Sequence, residues 1–151
     1  MVVEWSPELT LNHELLDAQH VDLFRRLADA GQALDGARAS LESAVESFAD
    51  ALVAHLAVEE RLMEETLYPE RIRHRSAHEM FVADLAQMRA ELREKGITPA
   101  VATWIRVRIP EWLRVHIRVN DLPFGDYLAR RRQQQQTGEA RPRKDGGRRL
   151  S

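Results

Sequence analysis

The chain has 151 residues, of which 44% are hydrophobic, no cysteine, and a formal net charge of −2 at pH 7. This length fits one domain with a sizeable core, and the lack of cysteine excludes disulfides, thiolate zinc sites and cysteine-ligated iron–sulfur clusters. No apolar run approaches the roughly 18 residues of a membrane span, and the first residues do not resemble a signal peptide. We therefore expect a soluble, cytoplasmic protein without a membrane partner.

Four stretches of the chain repeat apolar residues at the three- and four-residue spacing of a helix. They cover residues 16–34, 41–66, 74–92 and 101–119, and a glycine or a proline follows each of the first three. Thr98 and Pro99 form a good N-cap and first-turn pair for the fourth. Because short connections make neighbouring helices antiparallel, the pattern predicts an all-α, up-down-up-down antiparallel four-helix bundle.

Two prolines interrupt the fourth helical stretch. Pro110 lacks a backbone donor and clashes with the preceding turn, so we expect a kink or break there. Pro123 closely follows Asp121 and is expected to end or bend the helix a second time. With regular helical spacing, Trp112 and Val119 belong to the buried face of this helix.

Charge is distributed unevenly along the chain. Residues 1–129 carry 14 basic and 22 acidic side chains, whereas residues 130–151 carry 8 and 2. The last segment has almost no apolar residues and cannot offset its ordering entropy by burial, so we predict a bundle over 1–129 and a disordered basic tail over 130–151. A basic tail can contact nucleic acid or an acidic partner, but a solvated tail is the simpler interpretation. We expect a monomer without a nucleic-acid partner.

Five of the six histidines lie on the apolar faces of the predicted helices: His20, His55, His74, His78 and His116. Glu59 shares the face of the second helix with its histidine, one turn later. A lone histidine on such a face is more often a hydrogen-bonded core residue. Burying five imidazoles and a carboxylate, however, costs several kcal/mol unless each finds a partner. A metal site supplies that partner, because imidazole and carboxylate are good ligands for iron, zinc, copper or nickel.

Asp121 is a further candidate ligand, although it follows His116 by five residues, about 140° around a regular helix. If it is a ligand, the backbone must depart from an ideal helix there, and Pro123 gives a physical reason for it to do so. Glu60 points about 100° away from the neighbouring acid and is expected to be solvated. His13 lies near the start of the first helix and is expected to be a surface or capping residue, with an outer-shell contact to the site as the lesser alternative.

The candidate ligands occur in the order His20, His55, Glu59, His74, His78, His116 and Asp121. This order, together with the segments DAQH, EERLM, YP and WLRVHI, resembles the complete ligand signature of the hemerythrin family. The resemblance covers the chain from about Trp5 to Leu128. The 37 residues between the last two histidines are more similar to the spacing in bacterial single-domain hemerythrins (bacteriohemerythrins) than to that in the invertebrate oxygen carriers.

The resemblance implies a non-heme di-iron centre, with two iron ions and an oxo or hydroxo bridge. One iron is expected to bind the two third-helix histidines and His116, and the other to bind His20 and His55. Glu59 and Asp121 are expected to bridge the two. The iron with two histidines keeps an open position, and the family binds dioxygen there.

A dry pocket around this position is expected to protect bound oxygen from water and protons. Side chains next to the ligands are suited to line it: Leu23, Leu56, Phe81, Trp112, Leu113 and Ile117. Ordinary core packing is the alternative role for all six.

The resemblance therefore implies a protein that binds dioxygen reversibly for storage, delivery or sensing, with a redox or acceptor protein as a second class of partner. The alternative is a di-iron enzyme on the same scaffold, such as a peroxidase, an oxidase or a nitric-oxide-handling protein. No general acid or base is evident beyond the ligands, so we predict no catalytic residue and favour the binding protein.

Overall fold

The computed structural model describes residues 4–139, which form a bundle of four long helices. Helix α1 spans Glu14–Ala33, α2 spans Arg38–Glu65 and α3 spans Arg71–Lys95. The fourth helix is continuous over residues 99–139. A short 3-10 turn, Pro7–Leu9, precedes the bundle, and no strand occurs between residues 4 and 139. The predicted all-α antiparallel four-helix bundle is confirmed.

The fourth helix is built from three α-helical segments joined by two wider turns. The segments are α4 (Pro99–Thr103), α5 (Ile109–His116) and α6 (Leu122–Glu139). The two turns between them, Trp104–Arg108 and Ile117–Asp121, are π-helical. We call them the first and second π turns.

Each proline inside the fourth helix, after Pro99 at its start, lies two residues after a π turn. The Ile109 N–H donates to the Trp104 carbonyl, five residues back, and Leu122 makes the equivalent bond in the second π turn. Pro110 and Pro123 come next in the chain. A proline has no N–H, and its ring crowds the carbonyl four residues earlier, a contact that a wider turn relieves. The expected interruptions thus take the form of π turns inside a continuous helix.

The π turns also change which side chains of the fourth helix are buried. His116 is buried as predicted, but Trp112 is only half-buried and Val119 is 53% exposed. Leu113 and Ile117 are buried in their place. Unbroken α-helical spacing predicts the wrong face here because a π turn adds a residue to the helical repeat.

The apolar faces of the other helices form most of the core, as α1 packs against α2 and α2 against α3. In residues 16–34 and 74–92, every residue that the helical repeat assigned to the buried face is buried. On α2 and the residue that follows it, Leu62 and Thr66 are half-buried, whereas Leu56 and Met63 are buried. Each large apolar side chain in this core contributes about 1.5–3 kcal/mol by leaving water.

Local hydrogen bonds fix the start of α1, the helix that carries the first cluster histidine. His13 Nδ1 accepts from the Leu16 N–H at 3.3 Å. The Asp17 carboxylate accepts from Thr10 Oγ1 and from the Leu11 N–H, both at 2.8 Å. The bond from Leu16 satisfies a backbone donor in the first turn of α1, where no intrahelical partner is available, and the bonds to Asp17 hold the preceding segment against the helix. His13 is therefore a capping residue in this structure.

Helix α6 continues past residue 129, where the sequence predicted the bundle to end, and reaches Glu139. Arg131 donates to the Thr66 carbonyl at 3.3 Å and Arg132 donates to the Asn12 carbonyl at 3.1 Å. These bonds tie the first turn beyond residue 129 to the bundle, and arginine and glutamine favour helix. Residues 140–151, the rest of the predicted disordered tail, lie outside the described residues. Among the helices of residues 4–139, none combines the length and the apolar character needed to cross a membrane.

Candidate metal centre

Seven polar side chains meet in the middle of the bundle, and we call them the cluster. They are His20 from α1, His55 and Glu59 from α2, His74 and His78 from α3, His116 from α5, and Asp121 from the second π turn. Each is at most 4% exposed. The structure thus brings together all seven residues that the sequence proposed as metal ligands.

The ligand atoms of the cluster form two groups that share both carboxylates. The three-histidine half contains His74, His78 and His116, and the two-histidine half contains His20 and His55. Glu59 and Asp121 belong to both halves, and the ligand atoms of each half lie within 4.8 Å of one another. This is the division that the resemblance to the hemerythrins implied.

Glu59 directs one carboxylate oxygen to each half. Its Oε1 lies 3.1 Å from His55 Nε2 and 3.6 Å from His20 Nε2. Its Oε2 lies 3.2 Å from His78 Nε2 and 3.4 Å from His74 Nε2. A carboxylate in this orientation can bind one cation through each oxygen.

Asp121 divides its oxygens in the same way. Oδ2 lies 3.2 Å from His20 Nε2, whereas Oδ1 lies 3.0 Å from His74 Nε2 and 3.1 Å from His116 Nε2. Within each half, imidazole nitrogens also approach each other: His20 Nε2 is 3.1 Å from His55 Nε2. The carboxylates therefore lie between two separate sets of imidazole nitrogens.

The second π turn explains how Asp121 reaches the cluster. On a regular α-helix, a residue five positions after His116 points about 140° away from it. A π turn spans five residues with each hydrogen bond, so its last residue returns toward the face where the turn began. Ile117, the first residue of the turn, is fully buried, and Asp121 follows on the same side. The sequence predicted that Asp121 can be a ligand only if the backbone departs from an ideal helix there, and the backbone does so.

Several buried atoms of the cluster have no hydrogen-bond partner within the described residues. They include both oxygens of Glu59, Oδ1 of Asp121 and both ring nitrogens of His74. A buried polar atom without a partner costs about 1–3 kcal/mol, and more when it is charged. The short contacts of the Glu59 oxygens with the facing imidazoles, and those of His74, are therefore not hydrogen bonds. The donor set therefore fits two metal cations, one in each half.

The charges of the cluster lead to the same conclusion. Burial lowers the pKa of His20 and of His74, but the carboxylates of Asp121 and Glu59 outweigh it and raise both pKa values from 6.5 to about 9. Burial alone would raise the pKa of each carboxyl group, but the facing imidazoles hold both pKa values below their usual range. Two ionised carboxylates thus remain in the core and require positive charge, from protons or from metal cations.

Three further polar side chains lie next to the outward-facing nitrogens of cluster histidines. Gln19 Oε1 is 2.7 Å from His55 Nδ1, and the Asn120 side-chain amide is 3.3 Å from His116 Nδ1. A histidine that binds metal through Nε2 usually donates its Nδ1–H to a neighbouring acceptor, which fixes the orientation of the ring. Gln19 Oε1 is such an acceptor for His55, whereas Asn120 faces His116 with its amide nitrogen, Nδ2, and becomes an acceptor only when its side-chain amide turns by 180°. Gln19 and Asn120 were not singled out from the sequence, although each lies next to a ligand in the chain.

Glu60 is the third of these neighbours. Its Oε1 lies 3.9 Å from His78 Nδ1 and 3.7 Å from Arg75 Nε, and its side chain is 31% exposed. The expectation of a solvated residue therefore describes only part of its environment. Its carboxylate lies between the protein surface and the three-histidine half.

The predicted pocket residues fall into two sets. Five of them are at most 4% exposed: Leu23, Leu56, Phe81, Leu113 and Ile117. The sixth, Trp112, is half-buried and stacks on Phe81 with 3.6 Å between ring centroids and 12° between planes. Trp112 also stacks on His116, at 4.5 Å and 12°. This pair therefore lies beside the three-histidine half.

Comparison with known proteins finds matches over most of the chain. A family model described as "Hemerythrin HHE cation binding domain" matches residues 11–126. A Bacteriohemerythrin of Stenotrophomonas maltophilia is 27% identical over 127 residues, which are 82% of this chain and 80% of that protein. A Bacteriohemerythrin of Ralstonia nicotianae is 28% identical over 133 residues, covering 86% and 91%. A Myohemerythrin of Sipunculus nudus is 27% identical over 120 residues, covering 80% and 88%.

Proposed function

Because the chain belongs to the hemerythrin family, we propose that it binds dioxygen reversibly at a non-heme di-iron centre held by the cluster. The observation that carries this proposal is the way in which Glu59 and Asp121 each direct one oxygen to each half of the cluster. A single-metal site needs no such shared carboxylates. Two neighbouring cations need them, because carboxylates that bridge the cations offset the repulsion between their charges.

The spacing of the ligand atoms favours iron over tetrahedral zinc. Ligand atoms about 2.1 Å from one ion lie about 3.0 Å apart at octahedral angles and about 3.4 Å apart at tetrahedral angles. Most neighbouring ligand atoms here are 3.0–3.2 Å apart, including His78 Nε2 and His116 Nε2 at 3.1 Å. Five imidazoles and two carboxylates also suit iron among the transition metals.

The number of ligands in each half supports one open position. The three-histidine half supplies five protein ligands and the two-histidine half supplies four. With one solvent-derived bridge shared between the ions, the first would be six-coordinate and the second five-coordinate. Dioxygen would bind on the second, next to His20 and His55. A diferrous centre supplies the electrons that dioxygen needs to bind.

The surroundings of the cluster favour binding over turnover. Leu23, Leu56, Leu113 and Ile117 are buried and lie within three residues of a cluster histidine in the chain. We assign them to the wall of the oxygen pocket, where they would exclude water. Tyr68 apart, the buried polar residues of the described chain are the seven of the cluster. Apart from Tyr68, whose pKa is raised by burial, the core of residues 4–139 therefore provides no additional general acid or base for an enzymatic cycle.

The proposal is tested on the purified protein by measuring its iron content and following its visible spectrum. After anaerobic reduction, the addition of air should produce a charge-transfer band that disappears under vacuum, with close to two irons per chain. Less than one metal ion per chain, or zinc alone, would contradict the di-iron proposal. Immediate formation of a stable diferric species with released peroxide would instead favour the di-iron enzyme. Storage, delivery and sensing of dioxygen would all give this spectroscopic result. They differ in the partner protein with which the oxygen-bound form interacts.

A further inference from the structure

A cleft runs along the outside of α3 and the fourth helix, next to the three-histidine half of the cluster. The fourth helix lines it with a row of apolar side chains: Trp104, Val107, Trp112, Val115 and Val119. The three valines are 51–53% exposed, and the two tryptophans are half-buried. The sequence predicted a monomer and assigned Trp112 and Val119 to the core, whereas the structure leaves both in an apolar row at the surface. We call this row, with the polar side chains between its members, the fourth-helix face.

Two side chains of opposite charge lie in the middle of the fourth-helix face. Arg108 and Glu111 both line the cleft and are exposed, and neither makes an ion pair within the part of the chain that the structure describes. A neighbouring arginine of the same helix does pair, Arg106 with Asp35 at 3.4 Å. The face therefore offers one unpaired positive charge and one unpaired negative charge, three positions apart and surrounded by apolar side chains.

The order of residues on the fourth-helix face is self-complementary about the peptide bond that follows Ile109. At equal distances on either side of this point lie Arg108 and Glu111, then Val107 and Trp112, then Trp104 and Val115. When two antiparallel helices are related by a two-fold axis, residues at equal distances on either side of the axis lie at the same height. A second copy of the chain would therefore set each arginine against a glutamate and each tryptophan against a valine. A small molecule or an unrelated protein gives no reason for this match.

We propose that the fourth-helix face is a dimer interface, in which the fourth helices of two copies of this chain pack antiparallel about a two-fold axis. Each Arg108 then pairs with the Glu111 of the other copy, so the interface contains two equivalent ion pairs among apolar side chains. Asp84 of α3, which lines the same cleft, adds negative charge next to the incoming arginine. A contact of this kind uses the same surface on both copies and is complete with two of them, so it gives a dimer rather than a filament.

The dimer interface has a consequence for the metal centre. It covers Trp112, whose ring stacks on the imidazole of His116 with 4.5 Å between centroids. The second copy would therefore shield this side of the three-histidine half from water. The pairing itself depends only on surface side chains, so the dimer is expected with or without metal in the cluster.

The first experiment measures the mass of the full-length protein by sedimentation equilibrium over a range of concentrations. The parent protein should form a species of twice the chain mass of 17.4 kDa. Glu111→Arg sets arginine against arginine, and Arg108→Glu sets glutamate against glutamate. Because like charges that face each other across an interface are strongly unfavourable, each variant should dimerise at least about tenfold more weakly. Asp50→Arg, a charge reversal at an exposed position of α2, is the matched control and should leave the dimer unchanged.

The second experiment mixes the two single variants and tests how the two helices are aligned. A pair made of one Arg108→Glu chain and one Glu111→Arg chain again sets each glutamate against an arginine. The two variants should therefore associate one to one when combined, although each dimerises weakly alone. The double variant Arg108→Glu/Glu111→Arg should dimerise about as strongly as the parent protein.

Three results would overturn the proposal. The first is a parent protein that keeps the mass of one chain at every concentration. The second is a dimer that neither single variant weakens, or that Asp50→Arg weakens equally. The third is a pair of single variants that fail to associate when mixed. A defect in folding is distinguished from these results by circular dichroism of each variant, and the double variant tests the pairing without relying on a loss of association.

Discussion

Replacement of Gln19 by leucine should weaken metal binding in one half of the cluster and spare the other. Gln19 Oε1 accepts from His55 Nδ1 at 2.7 Å, which leaves the lone pair of Nε2 free for a metal. That Nε2 lies 3.1 Å from Glu59 Oε1 and 3.1 Å from His20 Nε2. Leucine has a similar size but cannot accept a hydrogen bond, so the ring would lose both its orientation and its fixed tautomer.

The size of the effect follows from the position of the bond. Loss of an outer partner of a ligating histidine costs about 10- to 100-fold in metal affinity, which corresponds to about 1.4–2.7 kcal/mol. His55 belongs to the two-histidine half alone. The three-histidine half keeps its own outer contacts, including that of Asn120 with His116. We therefore expect one of the two binding steps to weaken by about 10- to 100-fold while the other is nearly unchanged.

Titration of the metal-stripped protein with ferrous iron under anaerobic conditions, in competition with a chelator, resolves the two binding steps. Gln19→Leu should also lose the oxygen-dependent band in proportion to the weakened step. Gln19→Glu keeps an acceptor and should bind iron at least as tightly as the parent. Gln87→Leu, at an exposed glutamine of α3, is the matched control. Equal weakening of both steps, or no weakening in Gln19→Leu, would refute the assignment of Gln19 to the two-histidine half.

Three further outcomes follow from the same geometry. His74→Ala should lower the iron content measured by elemental analysis, whereas His13→Ala should leave it unchanged, because His13 caps α1 and is not a cluster residue. Glu59→Gln should reduce iron binding in both halves together, since each oxygen of Glu59 faces one half; isothermal titration showing a defect in a single step would contradict this. Acidification should release iron. The pKa of His20 is raised from 6.5 to about 9, so below pH 9 the metal must displace a proton from this imidazole. Iron affinity measured between pH 6 and 9 should therefore rise with pH, by up to about tenfold per pH unit for each proton displaced.

Periodicity predicted those parts of the fold in which one helical repeat continues without interruption. On α1 and α3 every residue of the predicted repeat is buried, including His20 and His74. On the fourth helix the same reasoning assigned Trp112 and Val119 to the core, and both are at least partly exposed. The repeat is broken there by π turns, and no residue type marks a π turn in the way that glycine or proline marks the end of a helix. The prolines indicated where the helix departs from regularity but not the form of the departure.

The cluster was easier to predict than its surroundings, for a physical reason. Imidazoles and carboxylates on an apolar face conflict with the rule that buried polar groups need partners, and this conflict can be seen in the sequence. Gln19 and Asn120 create no such conflict, because each side chain is half-buried at the edge of the core. Their role depends on which ring nitrogen they face, and that requires coordinates. The extension of α6 to Glu139 was missed because the bonds of Arg131 and Arg132 join segments far apart in the sequence.

The second π turn has a consequence that a regular helix could not provide. On an α-helix, the residue four positions after His116 lies on the same face, and the residue five positions after it does not. In the wider turn both neighbours remain close to this histidine: the Asn120 amide lies 3.3 Å from Nδ1, and Asp121 Oδ1 lies 3.1 Å from Nε2. Two consecutive side chains thus serve the two nitrogens of one imidazole, the first from outside the cluster and the second from within it. π turns occur frequently at functional sites, and here the extra residue allows the same turn of helix to place one side chain at each nitrogen of His116.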